Sequence, residues 1–390
     1  MRKLPPKLPT PPTSRTRSLL KPLSLAIGLL GASGLSQAVD FSYSGFGNVT
    51  LGKVVSAGGI DIGYPDGAQW NCPCLIADFS HGSVYEQKWS LKPESRIGLQ
   101  GNWTFTPDLS FTAQGVARHA AQKAKADLEW AYLSYNLTPQ LTVQLGRKRL
   151  PLFFYSDYQD VSYAYSWVRV PPDVYGWAVV NYNGANLTYR GDVAGWAVKS
   201  TVYAGSEHTK KNPIAKLETA SPSDINWDQM WGVDLELNRD WFTARLALNK
   251  SKQQQFRDGL QTSPDPATGT HSPQTFAALS FVIDKDNWLL RSEISYIDRS
   301  PARGSYRGRM IGAGYRFDKF TPMVTVSQLK AYNNAFTTLA EKDAMTSFSL
   351  RYDLSDTSSI KAQYDRSRWD LLDGNDVRRK LVTLSYDFVF

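Results

Sequence analysis

Read in steps of two, residues 380–390 separate into an apolar and a polar set: Val382, Leu384, Tyr386, Phe388 and Phe390, with Thr383, Ser385 and Asp387 between them. A period of two belongs to a strand with one oily and one wet face. The same alternation recurs upstream. Ile97, Leu99 and Trp103 oppose Arg96, Gln100 and Asn102, and Val233, Leu235 and Leu237 oppose Asp234 and Glu236. Phe242, Ala244, Leu246 and Leu248 oppose Thr243, Arg245 and Asn249, while Leu290, Ile294 and Tyr296 oppose Arg291, Glu293 and Ser295. Thr346, Phe348, Leu350 and Tyr352 oppose Ser347, Ser349, Arg351 and Asp353. Charge confined to one parity means that this parity faces water, and a tilted strand of about ten residues crosses a bilayer.

Seven short clusters rich in Pro, Gly, Asn and Asp punctuate these segments: 106–108, 138–140, 190–192, 238–240, 284–286, 317–319 and 353–356. Each has the chemistry of a tight reverse turn, and the stretch between two of them holds a strand, a longer loop and a returning strand. Seven turns joining eight such excursions predict about sixteen strands, with both chain ends on the short-turn side. Aromatics gather at the turns, as a membrane-interface girdle requires: Trp103, Phe105, Trp241, Phe242, Trp288, Phe317, Phe320 and the run 386–390. Residues 178–189 and 320–329 alternate poorly, and the polar stretches 205–225 and 251–272 read as solvated outer loops.

The N-terminus changes the charge argument. Residues 1–21 carry six Lys and Arg and no acid, followed by an apolar run at 23–35 and small residues at Ser36 and Ala38. This predicts a secretory signal peptide, residues 1–38, cleaved after Ala38. The apolar run is too short for a membrane helix. Six of the 44 Lys and Arg belong to it, leaving 38 against 36 Asp and Glu, so net charge gives no support for nucleic-acid binding. Cys72 and Cys74 are the only cysteines. They read as a disulfide clasp in an oxidising envelope, with free thiols or a metal held with Asp78 or His81 as alternatives. Asp61, Asp66 and Asp78 are carboxylates in a Gly-rich loop, which suit solvation as well as Ca²⁺. The histidines, at 81, 119, 208 and 271, accompany no Ser nucleophile motif, and no cofactor fingerprint is present, so neither catalysis nor a cofactor is expected.

With the leader, the turns, the strand count and the terminal Phe390 together, the whole mature chain, 39–390, resembles the general porin superfamily of the Gram-negative outer membrane. The resemblance implies an all-β transmembrane antiparallel barrel of about sixteen strands, usually trimeric, whose third outer loop folds inward and narrows the pore. It also implies a terminal aromatic strand read by the assembly machinery. The Pro-Glu-Phe-Gly-Gly-Asp loop motif of enterobacterial porins is absent from this chain.

The third long connection, residues 147–176, occupies the place of that constriction loop. Its rings, Phe153, Phe154, Tyr155, Tyr158, Tyr163, Tyr165 and Trp167, favour packing against an inner wall over exposure. Asp157, Asp160, Arg169 and Asp173 would then point into the channel. Arg147, Lys148 and Arg149 would form its mouth-side base, or bind lipopolysaccharide phosphate. Arg96 and Arg118 have lumen parity on the second and third strands, where the family's arginine ladder stands, and Arg291 and Arg351 lie further round. Acids on the loop facing wall arginines would set up a transverse field; alternatively the arginines pair with acids such as Glu293 or Asp353. The expected function is passive diffusion of small hydrophilic solutes and ions. A substrate-selective uptake channel, using the rings to stack on sugars, is the alternative, and an outer-membrane enzyme or adhesin is weaker.

Overall fold

The computed structural model describes residues 39–58, 74–121, 123–214, 223–265, 270–299, 304–332, 339–371 and 376–390. The expected leader, Cys72, Asp61 and Asp66 lie outside these residues. Sixteen strands form the wall: β1 (Asp40–Gly58), β2 (Arg96–Thr104), β3 (Leu109–Ala120), β4 (Lys123–Asn136), β5 (Leu141–Arg149), β6 (Asn181–Val193), β7 (Trp196–Thr209) and β8 (Asp224–Arg239). They continue with β9 (Phe242–Arg257), β10 (Ser272–Lys285), β11 (Trp288–Asp298), β12 (Ser305–Tyr315), β13 (Phe320–Tyr332), β14 (Leu339–Ser355), β15 (Ser358–Leu371) and β16 (Asp376–Val389). Each pairs antiparallel with its sequence neighbour, and β1 pairs with β16, which closes the barrel and leaves no free edge.

The alternation decides which face is which. On β16, Thr383 and Asp387 are fully buried, whereas Leu384 is 47% exposed. The polar set lines the interior and the apolar set faces outward, the arrangement a bilayer demands. Trp241, Trp288, Phe317, Phe320 and Phe390 are exposed at the short-turn end, as an aromatic girdle requires.

Six of the seven short turns overlap the clusters that predict them. At Arg190-Gly-Asp192 the chain stays in β6 and turns at Ala194 and Gly195, both in the left-handed region. Two successive positive φ values are what a two-residue hairpin needs. Asp192 caps that turn by accepting from the Gly195 N–H at 3.1 Å, and Gly191 leaves room for the Tyr189 ring. Residues 251–257 are also strand, with Ser251, Gln253 and Gln255 buried inside and Lys250 and Lys252 outside. Polar residues on both parities, above the apolar belt, imitate a solvated loop in sequence.

Candidate functional site

The long segment between β5 and β6, residues 150–180, contains only two short 3₁₀ turns, Ser156–Tyr158 and Ser162–Ala164. Its rings hold it in place. Phe153, Tyr155, Tyr165, Trp167, Tyr175 and Trp177 are buried in one cluster with Tyr203, Trp227, Phe276, Met310 and Met323 of strands β7 to β13. Phe153 stacks on Tyr175 at 4.5 Å and meets Phe276 edge-on at 5.0 Å. Burying each such side chain is worth about 1.5–3 kcal/mol, which offsets part of the entropy lost in ordering a loop this long.

Charges tie down the same segment at two nodes. At the first, Arg96 on β2 and Arg118 on β3 are cross-strand partners, a repulsive arrangement unless an anion is inserted. Asp160 is that anion, 2.8 Å from Arg96, 3.0 Å from Arg118 and 2.8 Å from Arg149. Glu129 sits at a bulge between β3 and β4 that turns it inward, and it takes Arg118 at 2.5 Å and Arg149 at 3.2 Å. His81 contacts Arg118 and holds Asp78 at 2.7 Å. Burial would raise the Asp160 carboxyl, but Arg118, Arg149 and Arg96 together hold it well below the carboxylate range.

At the second node Arg169 reaches Glu94 through two bonds, at 2.8 and 2.6 Å, and Asp365 on β15. Around it the loop is pinned residue by residue. Val168 donates to Gln363 at 2.8 Å, Trp167 to Thr325 at 2.7 Å and Ser162 to Asp387 at 2.8 Å. Lys361 donates to the carbonyls of Ser162 and Trp167 and pairs with Asp387 at 3.1 Å. Glu293 accepts from Phe154 N–H at 3.0 Å and from Tyr175 at 2.9 Å. Asp173 accepts from Ser327 at 2.8 Å, and its other oxygen has no polar partner among the described residues. Burial pushes this carboxyl up to about 7.

The residues singled out in the sequence are therefore gathered unevenly. Arg96, Arg118 and Asp160 meet at the first node, Arg169 centres the second, and Asp173 stands apart on Ser327, all but Arg96 buried. Arg351 donates to the carbonyls of Tyr163, at 2.5 Å, and Tyr165, at 3.2 Å, while pairing with Asp353 at 2.7 Å. Arg291 reaches the Ile283 carbonyl at 2.8 Å and Asp284 at 3.5 Å, and not Glu293. Arg147 turns instead to Glu207 at 2.8 Å. Lys148 and Asp157 line a cavity of about 180 Å³ with Arg190, Lys199, Tyr132 and Tyr182. There Asp157 lies 3.5 Å from Lys199. Burial would raise Asp157, and Arg245, Lys199 and Lys148 outweigh it and keep the carboxylate charged.

Glu94, Glu129, Lys361 and Asp365 are not among the residues singled out in the sequence, and Asp387 stands there only as part of a polar face, although Lys361, Gln363 and Asp365 carry the inward parity of β15. Three polar residues at that spacing on a membrane strand are a readable signal. Cys74 is buried and disulfide-bonded. Among the described residues, no three His, Cys, Asp or Glu side chains gather as a metal site would need.

No family description and no curated relative matches the chain. Solved structures do. The outer-membrane channel DcaP of Acinetobacter baumannii superposes with a TM-score of 0.63 at 10% identity, over 93% of this chain and all of that one. OmpF of Salmonella typhi, in complex with daunomycin, gives 0.55 at 13% identity over 90% of this chain and 97% of that one. The anion-selective porin of Comamonas acidovorans gives 0.54 at 11% identity over 90% of this chain and all of that one. The fold is that of the Gram-negative outer-membrane porins.

Proposed function

We propose that this chain is an outer-membrane porin, a non-enzymatic water-filled channel for passive diffusion of small hydrophilic solutes, made as a precursor whose residues 1–38 are removed. In this reading residues 147–176 fold into the barrel as its constriction loop, and three copies assemble side by side among lipopolysaccharide and other outer-membrane lipids. The observation that carries it is the reach of the loop, whose polar atoms contact inward residues on β2, β3, β5, β7, β9, β11 and β13 to β16. A segment bonded to that much of the wall crosses the lumen. Planar-bilayer recording of the purified protein tests this: stepwise openings in groups of three are expected, and a protein that inserts without conducting would refute it.

The cavity beside the loop favours anions among those solutes. Arg190 and Lys199 are cross-strand partners, Lys148 stands on the neighbouring strand, and of the two acids lining the same space Asp234 is already bound by Arg245 at 2.5 Å. Unbalanced positive charge in a narrow opening concentrates anions. A salt gradient should therefore give an anion-selective reversal potential that shifts toward cations in the Arg190→Glu, Lys199→Glu double variant. The Arg96→Glu, Arg118→Glu variant tests whether the first node faces the permeation path, since an unchanged potential would take it out of the constriction.

A further inference from the structure

The outward face of a membrane barrel is expected to be apolar, yet part of one cross-strand row on this wall is cationic. Leu246, Leu279, Ile294, Arg309 and Gln328 are register partners on β9 to β13, and one step nearer the loops Leu248, Ala277, Tyr296, Arg307 and Lys330 form the next row. Barrel strands are tilted, so a row running across them climbs relative to the membrane. Arg307 and Lys330 accordingly lie near the loop ends of β12 and β13, while Leu279 lies in the middle of β10 and Leu246 nearer the short-turn end of β9. The two rows enclose an outward groove of about 460 Å³ whose lining, among the described residues, includes Arg307, Arg309 and Lys330 and no carboxylate.

We propose that this groove binds a phosphorylated lipid of the outer leaflet, one acyl chain lying against Leu246, Leu279 and Ile294 and a phosphate held by Arg307, Arg309 and Lys330. Charge complementarity selects the headgroup. Arg309 is braced by Gln328 at 2.8 Å and Arg307 stands over the Tyr332 ring at 5.1 Å, so the guanidiniums are presented in fixed positions rather than on free stems. The apolar end of the groove is at hydrocarbon depth, where its occupant has to be a lipid chain. The site is on the opposite side of the wall from the pore and does not depend on the channel reading.

Native mass spectrometry of the detergent-purified full chain, with added lipid A, phosphatidylethanolamine or inorganic phosphate, tests the assignment. Lipid A adducts should persist on the unaltered protein and fall about tenfold in the Arg307→Ala, Arg309→Ala, Lys330→Ala variant. An Ile294→Trp variant, which fills the apolar end and keeps all three charges, should lose them too. Equal lipid A retention in both variants would overturn the proposal. So would equal retention of phosphatidylethanolamine, which shows no headgroup selection, or of inorganic phosphate, which shows a plain anion site. Unchanged heat-modifiable mobility on gels verifies that the variants remain folded barrels.

Discussion

Asp160 carries more of the architecture than any other single side chain, because three arginines converge on its two oxygens. Replacing it with Asn leaves Arg118 and Arg149 with Glu129 and takes from Arg96 its one ion pair among the described residues, and removing one partner from a buried ionic group costs about 3–5 kcal/mol. The loop of the Asp160→Asn variant should become sensitive to protease, and the channel should become more anion-selective; a resistant loop with an unaltered reversal potential would contradict this role. Asp173 makes a prediction about pH. Its folded carboxyl keeps a proton up to about pH 7, against an ordinary value of 3.8, so its contribution to loop docking is full below that ordinary value and declines as pH rises toward 7. Beyond that, a charged Asp173 faces Asp365 and Asp343. Asp160, shifted the other way, stays charged at neutrality and loses its contribution only in acid. Loop-opening noise in single-channel records should therefore rise as pH climbs from about 4, level off above about 7, and lose this dependence in Asp173→Asn.

At the level of the element, the loop is held by replaceable parts, and Arg169 shows how. Arg169→Met would leave Glu94 and Asp365 buried and uncompensated, whereas Arg169→Met with Glu94→Gln and Asp365→Asn removes all three charges. Thermal unfolding of the single variant should drop markedly and that of the triple variant should recover most of the loss, since a whole ionic group replaced by neutral residues is often no weaker. Equal loss in both would mean that the charges themselves are needed. The strands of this fold were legible because lipid and water impose a period of two on them, and Val382 to Phe390 displays it without reference to any partner. The loop was legible in place and in composition, through its rings, but its pairings were not. Whether Asp160 meets Arg96 or Arg169 meets Asp365 depends on the path of a chain with no periodicity, and Glu129 joins the first node only because a bulge reverses its parity. Arg147 misled for the same reason in reverse, since it turns to Glu207 of β7 and joins neither node, although Arg149 two residues on does.

For the molecule as a whole, the decisive step is closure, and the closing strand does more than pair. β1 is shared unevenly: Asp40 to Asn48 pair with β2, and Phe46 to Gly58 pair with β16, so only Phe46 to Asn48 are flanked on both sides by strands. Phe390 extends the seam by exchanging backbone bonds with Gly45 at 2.7 and 2.9 Å. Outside the barrel its ring covers Gly45 and the Phe388 ring covers Gly47; inside, Phe46 covers Gly98. Two rings on two glycines fix the register of the seam, because slipping it by one residue would turn each away from its glycine, and Phe46 on Gly98 does the same for β1 against β2. A side chain at Gly45 would occupy the place of the Phe390 ring, and a Cβ at Gly47 would stand 2.7 Å from Phe388 Cζ. Overpacking of this kind costs about 1–3 kcal/mol, enough to lower a folded fraction about tenfold. Gly58, on the same strand with nothing near it, is the control. Gly45→Val and Gly47→Val, like deletion of Phe390, should reduce the yield of heat-modifiable barrels, while Gly58→Val leaves it unchanged and any Gly45→Val barrels that do form conduct normally. Full yield from Gly45→Val would place the register in the backbone ladder alone, with the rings as passengers of the interface.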